Sequence, residues 1–325
     1  MRAIVVEGPS QDLVVADVPQ PAVGPESVLV EVHATAVNRA DLLQRRGFYP
    51  PPPGESDVLG LEAAGVVAET GAAVRDWHRG DRVMCLLGGG GYAEYVAVHH
   101  GMLLPIPQRL SFEDAAAIPE VFTTAYMTLV AEAALAAGET VLIHAGGSGV
   151  GTAAIQLART LGARPIVTVG DGRKLARCLE LGAEAGIDYK EEDFATRGRE
   201  LTGGRGVDVI LDCIGGQYLE RNVGLLAAKG RLVIIGLMGG AKADINLALL
   251  VGNRLRVIGT VLRTRALEEK LALTDGVRRV ILPLLADGTL HPVVDSIHDL
   301  ADAAKAHDHV AANANFGKVI LRVRS

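Results

Sequence analysis

The sequence predicts an α/β protein in which a doubly wound parallel sheet is inserted into a second, β-rich domain. Three observations carry this reading. The first third is rich in short β-branched runs, helix and strand patterns alternate from Pro119 onward, and the alternation ends after Leu262. Runs such as VDVILD (207–212) and RLVIIG (231–236) are apolar on both faces, as strands of a helix-covered parallel sheet must be. The inserted domain is therefore expected at 122–262. The β-rich domain is expected at 1–121 and 263–325, with a terminal strand that returns to it.

In the first third, residues 2–7, 28–37, 64–69, 82–87 and 92–98 read as strands separated by Gly, Pro and Asp clusters. One helix interrupts them, opening at Asn38 as a cap with Asp41 in its first turn. The four prolines at 50–53 make a stiff extended segment, because each ring fixes φ. Helices then follow at 122–135, 150–161, 174–181 and 217–227, and strands at 140–144, 165–169, 207–212, 231–235 and 255–261. Beyond 262 come a long amphipathic helix, a strand at 292–297, a helix at 301–312 and a terminal strand at 318–323.

At 325 residues the chain exceeds what one core usually serves, which agrees with two domains. A formal net charge of −6 offers no basic footprint for a phosphate backbone, so nucleic acid is not expected as a partner. Three separated cysteines predict no disulfide framework and a reducing compartment. The chain enters a strand pattern at once, without a basic region and apolar core, and no apolar stretch runs far enough to span a bilayer. A cytoplasmic location without a membrane partner is the expectation.

The most informative segment is Ala145-Gly-Gly-Ser-Gly-Val-Gly151, between a strand and a helix. Such a turn lets backbone N–H groups approach a pyrophosphate at the positive end of the helix, as in a Rossmann domain. The bland alternative is a tight βα turn, and the βαβ context around the loop argues against it. The next strand ends at Val169-Gly170, where an NAD-specific site places an acid on the ribose. Asp171 lies two residues past that tip, and Arg173 and Lys174 follow, suited to a 2′-phosphate. The charges favour NADPH over NADH, with Asp171 as the opposing element.

With that loop in place, the chain resembles the zinc-free quinone oxidoreductase branch of the medium-chain dehydrogenase/reductase family. The likeness runs end to end. It is carried by Ala36-Val-Asn-Arg-Ala-Asp-Leu42, Leu59-Gly-Leu-Glu-Ala-Ala-Gly65, Gly80-Asp-Arg-Val83, Gly91-Tyr-Ala-Glu-Tyr95, the stretch from His144 to Gly151, and Asp212-Cys-Ile-Gly-Gly216. Gly47-Phe-Tyr-Pro-Pro-Pro-Pro-Gly54 is similar to the subgroup related to the stress-inducible quinone oxidoreductase. The resemblance implies a GroES-like fold for the β-rich domain, around a Rossmann domain.

Zinc-dependent members of the family place a Cys where this chain has Asn38 and a His where it has Leu61, and neither residue here can ligate zinc. No metal is expected, and His99, His100, His307 and His309 are expected to face solvent. The resemblance implies Asn38 and Tyr49 as polar groups of the reacting pocket. Asn38 could hold the nicotinamide ribose or the substrate oxygen, or simply cap its helix. Tyr49 could hydrogen-bond the acceptor, or pack as a loop aromatic. For the cofactor it implies Gly146, Ser148, Gly149, Val150 and Gly151 at the pyrophosphate and Thr124 near the nicotinamide, with Gly170, Lys174 and Tyr189 around the adenosine phosphate. Ser148 replaces a common Gly, and Asp171 a common Ser or Thr.

The expected activity is NADPH-dependent reduction of a quinone. The alternatives are reduction of the C=C bond of enals and enones, and a dinucleotide-binding protein with a non-enzymatic role. An apolar run at 255–262, at the expected sheet edge, suggests a homodimer, which the resemblance supports more strongly.

Overall fold

A computed structural model describes residues 1–324. The chain forms two compact units, one from residues 1–123 and 263–325 and one from 124–262.

The first unit is built on a sheet whose strands run in the order Val294–Asp299, Lys318–Arg322, Ser27–Val37, Glu62–Thr70, Arg82–Leu86 and Leu103–Pro105; Tyr95–His99 also pairs with Ser27–Val37. The terminal strand lies antiparallel to Ser27–Val37, with Val319 opposite Val37, and parallel to Val294–Asp299. It therefore lies within the sheet, between Val294–Asp299 and a strand of the first third. A hairpin of Arg2–Glu7 and Asp12–Asp17 completes the unit. Ile4, Val37, Leu59, Tyr92, Val319 and Leu321 meet in its core, which joins both ends of the chain. The sequence reading missed two strands here, Asp12–Asp17 and the three-residue Leu103–Pro105.

The second unit is a six-stranded, wholly parallel sheet in the order Ala185–Asp188, Arg164–Val169, Thr140–Ile143, Val207–Asp212, Leu226–Ile234 and Arg256–Gly259. Strand order reverses between Thr140–Ile143 and Val207–Asp212, and in such sheets ligands bind beyond the carboxyl ends at that switch point. Pro119–Tyr126 is α-helical and widens into a π-helical turn over Met127–Glu132, so this helix starts three residues before the predicted one. Ala185–Asp188, Phe194–Leu201 and Leu247–Asn253 are further elements that periodicity did not show. Among the described residues no helix is long and apolar enough to cross a membrane.

Beneath the switch point lies a buried polar chain. His144 follows the first strand, and its Nδ1 lies 3.0 Å from the Thr168 hydroxyl and its Nε2 2.8 Å from Asn222 Oδ1. Asn222 Nδ2 donates to Asp212 Oδ2 at 3.2 Å, and the Asp212 carboxylate also accepts the N–H groups of Ile214 and Gly215. Burial pushes the His144 ring down to about 4, so it is neutral at pH 7. Asn222 Oδ1 can only accept, which assigns the ring proton to Nε2. Three neighbouring strands are thereby tied at the ends that carry the loops. Replacing Asn222 with Leu keeps the volume but strands two buried partners. We expect a loss of about 2 kcal/mol in urea unfolding, since each orphaned buried group costs roughly 1–3 kcal/mol. A wild-type midpoint for Asn222→Leu would show that the chain carries no such load.

Candidate functional site

The glycine-rich turn is shaped from within the second unit. A Cβ on Gly146 would lie 2.7 Å from the Val167 side chain, and one on Gly151 would lie 2.4 Å from the Ala145 carbonyl oxygen. Both positions must be glycine simply to seat the helix Gly149–Thr160 on the sheet. Ser148 is the N-cap of that helix, its Oγ accepting the Gly151 N–H at 3.0 Å. Among the described residues, that leaves the N–H groups of Gly149 and Val150, and the Ser148 hydroxyl proton, without partners at the positive end of a twelve-residue helix. Such an arrangement accepts an anion, and the residues fit a dinucleotide pyrophosphate. Thr124, at the start of the unit, is 7% exposed.

At the tip of the neighbouring strand, a Cβ on Gly170 would lie 2.7 Å from the Tyr189 hydroxyl and 3.3 Å from Lys190 Cε. The fold thus brings Gly170, Tyr189 and Lys190 together, and Lys190 had not been singled out from sequence. Asp171 is the N-cap of the helix Gly172–Glu180, its Oδ1 accepting the Lys174 N–H at 2.9 Å. That bond holds its carboxyl below the ordinary range. The acid is thus committed to its own helix, with Arg173 and Lys174 in the turn it caps.

The first unit contains a buried cluster of charges. Asn38 occupies the N-cap position of the helix Arg39–Arg45, yet its amide turns away from the helix. Its Oδ1 accepts from Lys318 Nζ at 2.6 Å, and its Nδ2 donates to Glu62 Oε1 at 2.8 Å and, at 3.4 Å, to the Ala36 carbonyl. Asp41 satisfies the helix start instead, accepting the Asn38 backbone N–H at 2.7 Å. Lys318 and Glu62 form an ion pair at 2.7 Å with both side chains nearly inaccessible. Glu62 Oε2 also accepts the Glu120 backbone N–H at 2.8 Å. Glu120 itself is half-buried, and desolvation together with the Glu62 charge pushes its carboxyl up to about 8.

Tyr49 lies in the turn after the same helix. The guanidinium of Arg263 stands over its ring, 5.2 Å from the centroid. Arg263 also donates to the carbonyls of Tyr49 (3.0 Å) and Gly88 (2.8 Å) and to Gln44 Oε1 (2.7 Å). The Tyr49 hydroxyl makes no hydrogen bond among the described residues. Glu62, Glu120, Arg263 and Lys318 were all missed as site residues. Glu62 lay within a quoted motif, whereas the others become visible only once distant segments meet.

The positions that zinc-dependent relatives use hold the neutral amide of Asn38, already bonded to Glu62 and Lys318, and the buried, apolar Leu61, a donor set that does not fit a catalytic zinc. Among the described residues no three His, Cys, Asp or Glu side chains converge to hold a metal. His307 departs from the expected solvent-facing placement. It is 1% exposed and lies 3.1 Å from the Tyr92 hydroxyl, because its helix packs its apolar face on the sheet.

Two family models match the chain, an alcohol dehydrogenase GroES-like domain at residues 24–108 and a zinc-binding dehydrogenase at 149–275. The chain is 37% identical, over 94% of its length, to erythronolide synthase of Saccharopolyspora erythraea, of which it spans only 8%. It is 32% identical to quinone oxidoreductase of Rattus norvegicus, covering 99% of this chain and 97% of that protein. The crystal structure of Escherichia coli quinone oxidoreductase complexed with NADPH is 31% identical and covers 99% of both chains with a TM-score of 0.86. Both halves of the fold and the full-length likeness agree, and the chain belongs to the quinone oxidoreductase branch of the medium-chain dehydrogenase/reductase family.

Proposed function

We propose that the chain is a nicotinamide-dinucleotide-dependent reductase that uses NADPH to reduce a quinone without a metal. The observation that carries this reading is the open helix start at Ser148, Gly149 and Val150, with Gly170, Lys174 and Lys190 at the next strand tip. The Escherichia coli relative, solved with NADPH, supports the cofactor, and the rat relative's name supports the acceptor. When bound, the dinucleotide supplies a hydride from its nicotinamide ring. Gly149 and Val150 would hold the pyrophosphate, with Ser148 as a hydroxyl donor and Gly146 and Gly151 shaping the turn. Arg173, Lys174 and Lys190 would face the 2′-phosphate, Tyr189 the adenosine end and Thr124 the nicotinamide. Asp171 stays charged, but one of its oxygens is tied to its own helix start, and the three basic residues outnumber it, which favours NADPH over NADH.

The hydrogen bonds of Asn38 support one of the two pocket roles open to it. Both amide hydrogens are engaged and Oδ1 already accepts one bond, so what it can still offer is a lone pair. A lone pair suits a ribose hydroxyl and not an acceptor carbonyl, so Asn38 is assigned to the cofactor. The partner-free Tyr49 hydroxyl is left to serve the acceptor, where it would stabilise oxygen charge as hydride arrives. That same hydroxyl favours the second reading, reduction of the C=C bond of an enal or enone, which depends more on oxygen polarisation than a quinone does. The edge strand Arg256–Gly259 has an open side, and Leu247, Val251 and Val261 are exposed beside it, as a homodimer through this unit requires.

Lys174→Ala is expected to raise the apparent KM for NADPH roughly tenfold more than that for NADH, the effect of losing one charge-assisted contact worth about 1.4 kcal/mol. Equal shifts on the two cofactors would remove Lys174 from the 2′-phosphate. Tyr49→Phe should leave NADPH affinity in a fluorescence titration unchanged while lowering turnover by up to about 10². A larger loss on an enone than on a quinone selects the double-bond reading, and no loss on either returns Tyr49 to loop packing. Light scattering should give a dimer mass at micromolar concentration and a monomer for Val251→Asp; a monomeric wild type would refute the pairing.

A further inference from the structure

Two carboxyl groups of the first unit sit side by side in opposite environments. Glu62 is fully buried and receives three donors: Lys318 Nζ at 2.7 Å, Asn38 Nδ2 at 2.8 Å and the Glu120 backbone N–H at 2.8 Å. The donors of the cluster therefore converge on Glu62. The Glu120 carboxyl has no hydrogen bond or ion pair among the described residues. The cations around it are committed elsewhere, Lys318 to Glu62 and Asn38, and Arg263 to two carbonyls and Gln44. Its charged and titratable neighbours are Glu62, Asp41, Lys318, Arg263 and Tyr49. A carboxyl without donors beside a fixed carboxylate stays protonated, and two acids held apart in this way take opposite roles.

From this geometry we propose that Glu120 is the proton donor to the acceptor oxygen, a role distinct from the charge-stabilising hydrogen bond of Tyr49. The inference rests on the reductase reading above. Reduction adds a hydride with its two electrons, taken from the dinucleotide as reductant, and leaves an oxygen anion on the acceptor. The Glu120 O–H bond breaks as the new O–H bond forms, and the resulting carboxylate regains its proton from water. Tyr49, Lys318 and Arg263 cannot share this work equally. The phenol is a far weaker acid with its ionisation pushed higher by burial, and the two cations are held by other partners. Because burial raises the Glu120 carboxyl to about 8, the proton is present at neutral pH and lost above that value. Reductive turnover should fall as pH rises through it.

The test joins infrared titration of the dinucleotide-free protein to single-turnover reduction of one quinone and one enone. Wild type should show a protonated-carboxyl band at pH 7 that disappears with a midpoint near 8, and Glu120→Gln should lack it. Glu120→Gln should bind NADPH as wild type does, reduce the acceptor about 10²-fold more slowly, and lose the alkaline fall in rate. Glu120→Asp, which keeps an acid, should retain that fall at a reduced rate. An active wild type whose rate and alkaline limb survive in Glu120→Gln would overturn the proton role while leaving the reductase reading intact. Absence of the band at pH 7 would overturn it independently of any acceptor. A wild type that binds NADPH but reduces neither acceptor would overturn the reductase reading and the proton role with it.

Discussion

The first unit depends on a buried ion pair between strands that are far apart in sequence. Lys318 opens the terminal strand and Glu62 opens a strand of the first third, and their contact at 2.7 Å requires the chain to leave for some 140 residues and return. Desolvating two such charges costs several kcal/mol per ion, which their attraction recovers only if every lone pair is satisfied. Here Asn38, the Val37 carbonyl and the Glu120 backbone N–H complete the set. A pair built this completely contributes more to register than to net stability. It fixes where Asn38 points, where the helix from Pro119 begins, and hence where the Glu120 carboxyl stands.

The second unit solves the equivalent problem with neutral groups. The chain Thr168–His144–Asn222–Asp212 ties three strands below the loops, and burial keeps its histidine uncharged. Above it, the glycines divide the labour. Gly146 and Gly151 exist to let the helix approach the sheet, and their tight packing exposes the free N–H groups of Gly149 and Val150. A polar floor and a crowded turn together would make the proposed anion cradle rigid, so that its donors need no reorganisation if a phosphate binds.

This contrast explains which parts were legible in sequence. The phosphate turn is local: strand, glycines and helix occupy about twenty consecutive residues, so their spacing carries the whole message. The alternation of helix patterns with strands apolar on both faces likewise displayed the parallel sheet. Lys318, Arg263 and Glu120 act across separations of 256, 214 and 58 residues, to Glu62, Tyr49 and Glu62 respectively, which no periodicity encodes. Asn38 shows the opposite failure. Its place before a helix invited a capping role, and tertiary contacts with Glu62 and Lys318 overrode the local preference while Asp41 took over the helix start.

The same cluster bears on the acceptor class. Zinc-dependent relatives concentrate positive charge where this chain places Asn38 and Leu61, so a carbonyl oxygen there meets a Lewis acid. In this chain Lys318 stands beside that position, paired with Glu62 and facing the Asn38 amide oxygen, so no metal-like Lewis acid is built from these residues. A simple ketone would find little polarisation in such a site. An acceptor whose reduction is driven by its own conjugation needs only a well-placed hydride, one hydrogen bond and one proton. Tyr49 and the unpartnered Glu120 are the groups this unit leaves available for the last two, which is why the proposed acceptors are quinones and enones and not plain carbonyls.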